Sequence, residues 1–270
     1  AGFAKQAIES VEGIGCKVLA IIVLTNFERA DFVELQSRNY TIESIFTLQE
    51  LGLDATRSEV DPQLYTLKWR FCVVNNSDYS APKSSPVVDN EKIYVGSDQG
   101  KLMCFDFHGK LLWEFTTEPD THGVHQTPII VDAMVIFSAY DGFVYALDKE
   151  NGELIWKHNI SSFSGSSPIY DRETNTVFVG TENKTVQGGL AAIDAANGKI
   201  KWEFSTNNHV PARAAIANEK VIFSSNDAHI YCLDKKNGAL IWKFRCGKDV
   251  KGRLTIDENR CYATSFDGHI

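Results

Sequence analysis

Residues 146–156 read ALDKENGELIW: a small residue at Ala146, an acid at Asp148, the pair Asn151-Gly152 and a closing Trp156. Asn-Gly supplies the positive φ angles of a tight hairpin, so the segment predicts two antiparallel strands joined at Asn151-Gly152. Asp148 heads that turn, where its carboxylate can accept bonds from nearby backbone N–H groups. The string returns as Ala192, Asp194, Asn197-Gly198 and Trp202, and again as Cys232, Asp234, Asn237-Gly238 and Trp242. A copy one residue shorter runs from Cys104 and Asp106 through His108-Gly109 to Trp113. The first position is always small, as a neighbouring ring would require. Each Trp is therefore expected to be mostly buried, as a spacer touching the small-residue segment of the next repeat.

Trp69, Trp113, Trp156, Trp202 and Trp242 recur every 40 to 46 residues, a period that marks a repeat architecture. Each unit cuts into four short strands, for example TPIIV, MVIFSA, FVYALD and LIWKH. Four antiparallel strands per repeat of this length describe a β-propeller blade. The expected fold is mainly β: a partial β-propeller of four-stranded antiparallel blades over residues 54–270, about four of them full. Ser265–Ile270 repeats Ala139–Val144, so the final copy is expected to stop halfway through a blade.

Residues 1–53 follow a different pattern. Phe3, Ala7, Ile8 and Val11 have helical spacing and are followed by Gly13 and Gly15, which suit a helix stop. An apolar strand from Cys16 to Leu24, a polar amphipathic stretch from Phe27 to Arg38 and a second strand, TIESIFTL, come next. This order predicts a short N-terminal α/β remnant with a parallel sheet.

The net charge of -8, with no cluster of Lys and Arg, argues against nucleic acid as the main partner. The most apolar run, Val18–Leu24, is about one third of the length of a membrane-spanning helix, so no membrane span is expected. The cysteines at 16, 72, 104, 232, 246 and 261 form no CxxC pair, which suggests neither a zinc site nor a disulfide framework. A reducing, cytoplasmic compartment fits best, with the periplasm as the alternative if a leader preceded Ala1.

Asp98, Asp141, Asp227 and Asp267 recur between the second and third strands, where they read as turn residues. His229 and His269 stand at equivalent points of neighbouring blades, which diverge, so no metal is expected. No Ser-His-Asp or Cys-His arrangement is apparent, and no catalytic residue is assigned. Ser85, Thr127 and Ser167, each followed by Pro, precede the innermost strand in three copies, and Arg213 and Arg253 take that place in the last two. Two guanidinium groups near the channel entrance predict a site for a small anionic ligand.

The pattern small-x-Asp-x-x-polar-Gly-x-x-x-Trp is similar to the tryptophan-docking repeat of propellers of the quinoprotein dehydrogenase type, the PQQ-like repeat. That resemblance covers roughly residues 60–270 and implies a Trp packed on the adjacent blade. Cofactor-binding members use a vicinal Cys pair with acidic and Arg residues in the funnel. No Cys residues are adjacent here, so no cofactor is expected. Separately, AGFAKQAIESVEGIGCKVLAIIVLTNFERADF followed by IESIFTLQELG resembles the last third of an orotate phosphoribosyltransferase. That resemblance implies a phosphate loop before Ala1, outside this sequence. Gly2-Phe3 replaces its usual closing Gly-Ser or Gly-Thr. The function expected is a non-enzymatic propeller binding a protein or small anion at its funnel, fused to a phosphoribosyltransferase-like segment. The alternative is a full-length orotate-type transferase of nucleotide metabolism carrying the propeller as sensor or scaffold.

Overall fold

The computed structural model describes residues 84–117, 123–257 and 260–268, and the backbone of two earlier strands. Trp69, His269 and the expected helical stretches of the first region lie outside the described residues. The chain divides into two compact units, Ala1–Lys68 and Trp69–Ile270. In the first, β1 (Ala20–Asn26) and β2 (Thr41–Thr47) pair in parallel, from Ala20 opposite Thr41 to Asn26 opposite Thr47. Parallel neighbours need a crossover connection, and the intervening residues 27–40 lie outside the described residues.

The second unit is built of antiparallel four-stranded sheets in sequence order. The first holds β3 (Val87–Asp89), β4 (Lys92–Gly96), β5 (Lys101–Asp106) and β6 (Leu111–Thr116). The second holds β7 (Ile129–Val131), β8 (Met134–Ser138), β9 (Phe143–Asp148) and β10 (Leu154–Asn159). The third holds β11 (Ile169–Asp171), β12 (Thr176–Glu182), β13 (Gly188–Asp194) and β14 (Ile200–Thr206). The fourth holds β15 (Ala215–Ala217), β16 (Lys220–Ser225), β17 (His229–Asp234) and β18 (Leu240–Arg245), and β19 (Thr255–Asp257) pairs with β20 (Arg260–Tyr262) in a fifth repeat. The short first strands touch across blades, β3 with β7, β7 with β11 and β15 with β19, so they form the inner edge of a propeller arc. Among the described residues no helix is long and apolar enough to cross a membrane.

Turn chemistry places these strands. The hairpins between first and second strands each carry one residue at positive φ: Asn90, Asp132, Asn175 and Asn218. Asn and Asp tolerate that region because their short polar side chains bond locally. In the next hairpin the positive-φ residue is Gly100 or Gly142, but Ala228 occupies it in the fourth blade at φ 65°.

The core is a series of layers between sheets. Tyr94, Leu102 and Cys104 of the first blade pack on Phe137, Tyr145 and Leu147 of the second. Ile136, Ala146 and Trp156 then meet Val177, Val179 and Ala191 of the third, whose Phe178 and Leu190 meet Phe223 and Leu233 of the fourth. Middle strands are therefore buried on both faces. Outer strand β6 alternates with its register, and β18 is exposed throughout.

Candidate functional site

The Asn-Gly hairpins form a repeated clasp between blades. Asp148 Oδ1 accepts bonds from the N–H groups of Glu150 (2.7 Å) and Asn151 (3.2 Å), and Gly152 N–H donates to the Asp148 carbonyl at 2.9 Å. Asp234 repeats this with Lys236, Asn237 and Gly238, and Asp194 with Ala196 and Gly198. In the shorter copy Asp106 accepts from Lys110 and His108, and these bonds hold its carboxyl below the usual carboxylate range. Gly109, Gly152, Gly198 and Gly238 all have positive φ.

Trp113, Trp156 and Trp202 each lie under the turn of the following blade. A Cβ at Gly152 would stand 2.7 Å from Trp113, one at Gly198 2.5 Å from Trp156, and one at Gly238 2.6 Å from Trp202. Glycine is thus required both for φ and for the ring's approach. The indole Nε1–H of Trp113 donates to the Lys149 carbonyl (3.3 Å), that of Trp156 to Ala195 (3.1 Å) and that of Trp202 to Lys235 (3.3 Å).

Two expectations need correction. The small residues Cys104, Ala146, Ala192 and Cys232 lie opposite the Trp of their own blade in the strand ladder, and the turn glycine is what meets the neighbouring ring. Beside each Trp the ladder shifts register, leaving Leu112, Ile155, Lys201 or Ile241 as an extra residue; such bulges re-aim side chains. Trp242, moreover, is 37% exposed, and no glycine of a following turn meets its ring among the described residues. It borders an open depression of about 750 Å³ with Phe244, Cys246, Cys261 and Asp267.

The channel side is polar. Ser84 Oγ donates to the Gln126 carbonyl (2.9 Å), Ser138 Oγ to Ser166 (2.7 Å), Ser166 Oγ to Ala212 (3.0 Å) and Ser224 Oγ to Gly252 (3.2 Å), stitching successive blades. Ser167 Oγ accepts from Thr127 N–H at 3.0 Å. Arg213 and Arg253 stand at the next two positions of that series, two residues before the neighbouring first strands β15 and β19. Arg213 is half-buried and Arg253 exposed.

Register did not reveal two further clusters. His125 Nε2 lies 2.9 Å from the buried Asp98 carboxylate, and its ring packs on Tyr140. His209 stands 3.6 Å from Glu182, whose Oε1 accepts the Gly165 N–H. Each of these histidines stands in one copy only, so repetition gives no signal for them. The acids before the third strands serve their own turns: Asp141 takes the Tyr145 hydroxyl (2.5 Å) and Phe143 N–H, and Asp227 the Tyr231 hydroxyl (2.7 Å) and His229 N–H.

No three His, Cys, Asp or Glu side chains converge to hold a metal among the described residues. Cys104, Cys232, Cys246 and Cys261 are separate thiols whose pKa values burial raises, Cys104 to about 11. Standing apart, these four thiols do not fit a metal or a quinone held by paired cysteines.

A profile of the PQQ-type repeat family described as outer membrane protein assembly factor BamB matches residues 58–209 and 187–270. The chain belongs to this family. BamB of Moranella endobia is 27% identical over 148 residues, covering 52% of this chain and 36% of that protein. The quinohemoprotein alcohol dehydrogenase of Comamonas testosteroni is 32% identical over 105 residues, 36% of this chain and 14% of the enzyme. Only a minor part of either relative's length is therefore matched. Among solved structures, the Comamonas testosteroni enzyme superposes with a TM-score of 0.58 at 14% identity, over 68% of this chain and 39% of its own. BamB of Moraxella catarrhalis gives 0.50 at 18%, over 68% and 66%. Likeness at these identities establishes the shared propeller fold of the BamB-type unit.

Proposed function

We propose that the BamB-type unit is a non-catalytic scaffold presenting the loops at its channel mouth to a protein partner. The carrying observation is the family match from residue 58 to 270, in a family described by an assembly factor. The chemistry of the described residues supports it: the repeated acids are consumed as turn caps, and loops on a rigid sheet scaffold are apt for recognition. Photo-crosslinkers placed at Thr127 and Ser167, compared with Lys157 on an outer strand, test this in the native host. One discrete heterologous adduct confined to the mouth positions is the expected result. Adducts from all positions alike, or alcohol-dependent dye reduction by the purified chain, would overturn it.

We further infer that residues 1–53 are a phosphoribosyltransferase-like segment. The parallel pairing of β1 and β2 supports this, because α/β units of that kind build parallel sheets. Incubated with orotate and phosphoribosyl pyrophosphate, this chain is expected to release no pyrophosphate. Turnover abolished by changes within residues 1–53 would refute that account.

A further inference from the structure

The stitching of the inner edge changes character at the fourth blade. Where the second and third blades meet, a serine hydroxyl accepts a backbone N–H: Thr127 N to Ser167 Oγ at 3.0 Å. At the fourth and fifth repeats the same position is Arg, which carries five donors and no acceptor. The contact of β15 with β19 sets Arg213 and Arg253, each two residues before its strand, at matching places at the start of neighbouring first strands. Arg213 Nε is sealed from solvent without a hydrogen-bond partner among the described residues. Burial, then the Arg253 charge, pushes the Arg213 pKa down, and no described carboxylate opposes them. Two like charges brought together, with one donor already stripped of water, are costly unless an anion completes them.

We propose that Arg213 and Arg253 form a binding site for a small oxyanion, phosphate or carboxylate, at the inner edge between the fourth and fifth repeats. A planar guanidinium offers paired N–H donors matched to two oxygens of such a group. The chain's net charge of -8 repels anions at long range, so recognition rests on these short contacts. The site does not depend on the protein-binding role, since a free ion suffices to fill it.

The test is a titration of the 270-residue chain with inorganic phosphate at constant ionic strength, read from the Arg side-chain Nε–H resonances by NMR. Saturable shifts at both Arg213 and Arg253 at millimolar phosphate are expected. Arg253→Met should weaken binding at least about tenfold, the value of one charge-assisted hydrogen bond. Because Arg253 is exposed, this variant keeps the fold, and Arg213→Met gives the companion measurement. Unsaturable shifts, or affinities within about twofold of the unaltered chain in both variants, would overturn the proposal. Competition by acetate decides between the two anions: displacement of phosphate shows a site open to carboxylates, and its failure shows one selective for phosphate.

Discussion

Trp156 of one blade donates its indole N–H to the carbonyl of Ala195 in the next, at 3.1 Å, while its ring fills the space a side chain at Gly198 would need. One contact thereby joins a hydrogen bond, a glycine-only turn and a buried ring. Trp242 has the same position in its own ladder, opposite Cys232, but no such turn above it among the described residues. Trp156→Ala should therefore destabilise by about 3–5 kcal/mol. Trp242→Ala should cost clearly less than Trp156→Ala, because its ring is 37% exposed against 8%. Urea unfolding of both variants checks the contrast, and equal losses would contradict the clasp.

Gly198→Ala attacks the same clasp from the other side. Its added methyl meets the Trp156 ring at 2.5 Å, and the backbone is at φ 72°. A loss of about 2 kcal/mol or more is expected from strain and overpacking together. Gly268→Ala serves as the control for φ alone, since no atom lies within 4 Å of a Cβ there.

Ala228 presents the converse case. It adopts φ 65° where Gly100 and Gly142 stand in other blades. The left-handed conformation costs an alanine about 1–2 kcal/mol, partly offset by the entropy that glycine loses on folding. Ala228→Gly should stabilise the protein by about 0.5–1 kcal/mol, visible as a raised unfolding midpoint with an unchanged denaturant slope.

Lys235, 3% exposed, binds across the blade interface to Asp171 at 3.3 Å and Glu173 at 2.6 Å. Burial alone would raise the Asp171 pKa, but bonds from Thr174 and Lys235 outweigh it and leave the group below 3.8. The bond with Glu173 holds Lys235 above 10.5. A depressed carboxylate stabilises fully above its unfolded value and loses that contribution as pH falls through its folded pKa. A raised amine stabilises fully below 10.5 and loses its contribution as pH rises through its folded pKa. Lys235→Met should cost about 3 kcal/mol near neutral pH, by leaving Asp171 without its counter-charge. The gap between variant and unaltered chain should narrow below about pH 4 and again above about pH 10.5. Unfolding curves across that range would show it.

The cysteines offer a further check. Cys104 and Cys232 are buried, whereas Cys246 and Cys261 are half-buried at the depression beside Trp242. Iodoacetamide at pH 8 should label Cys246 and Cys261 slowly, and Cys104 and Cys232 only on unfolding, because the thiolate is the reacting form. Peptide mass mapping distinguishes the four.

The blade architecture was legible in the chain because its turns are local. Asp148 with Asn151-Gly152, and their copies, cap hairpins using atoms within a few residues of one another, so spacing alone predicts four strands per repeat. The proposal for Arg213 and Arg253 likewise started from register, since the copies place both at equivalent points before neighbouring first strands. What each ring touches was decided only by tertiary structure. The bulges beside Trp113, Trp156 and Trp202 turn them toward the next blade's glycine, whereas Trp242, with the same bulge, stays exposed. The His125–Asp98 and Lys235–Asp171 pairs likewise join positions far apart in the chain. Local propensity carries no information on such contacts, because they arise from the stacking of one blade against another.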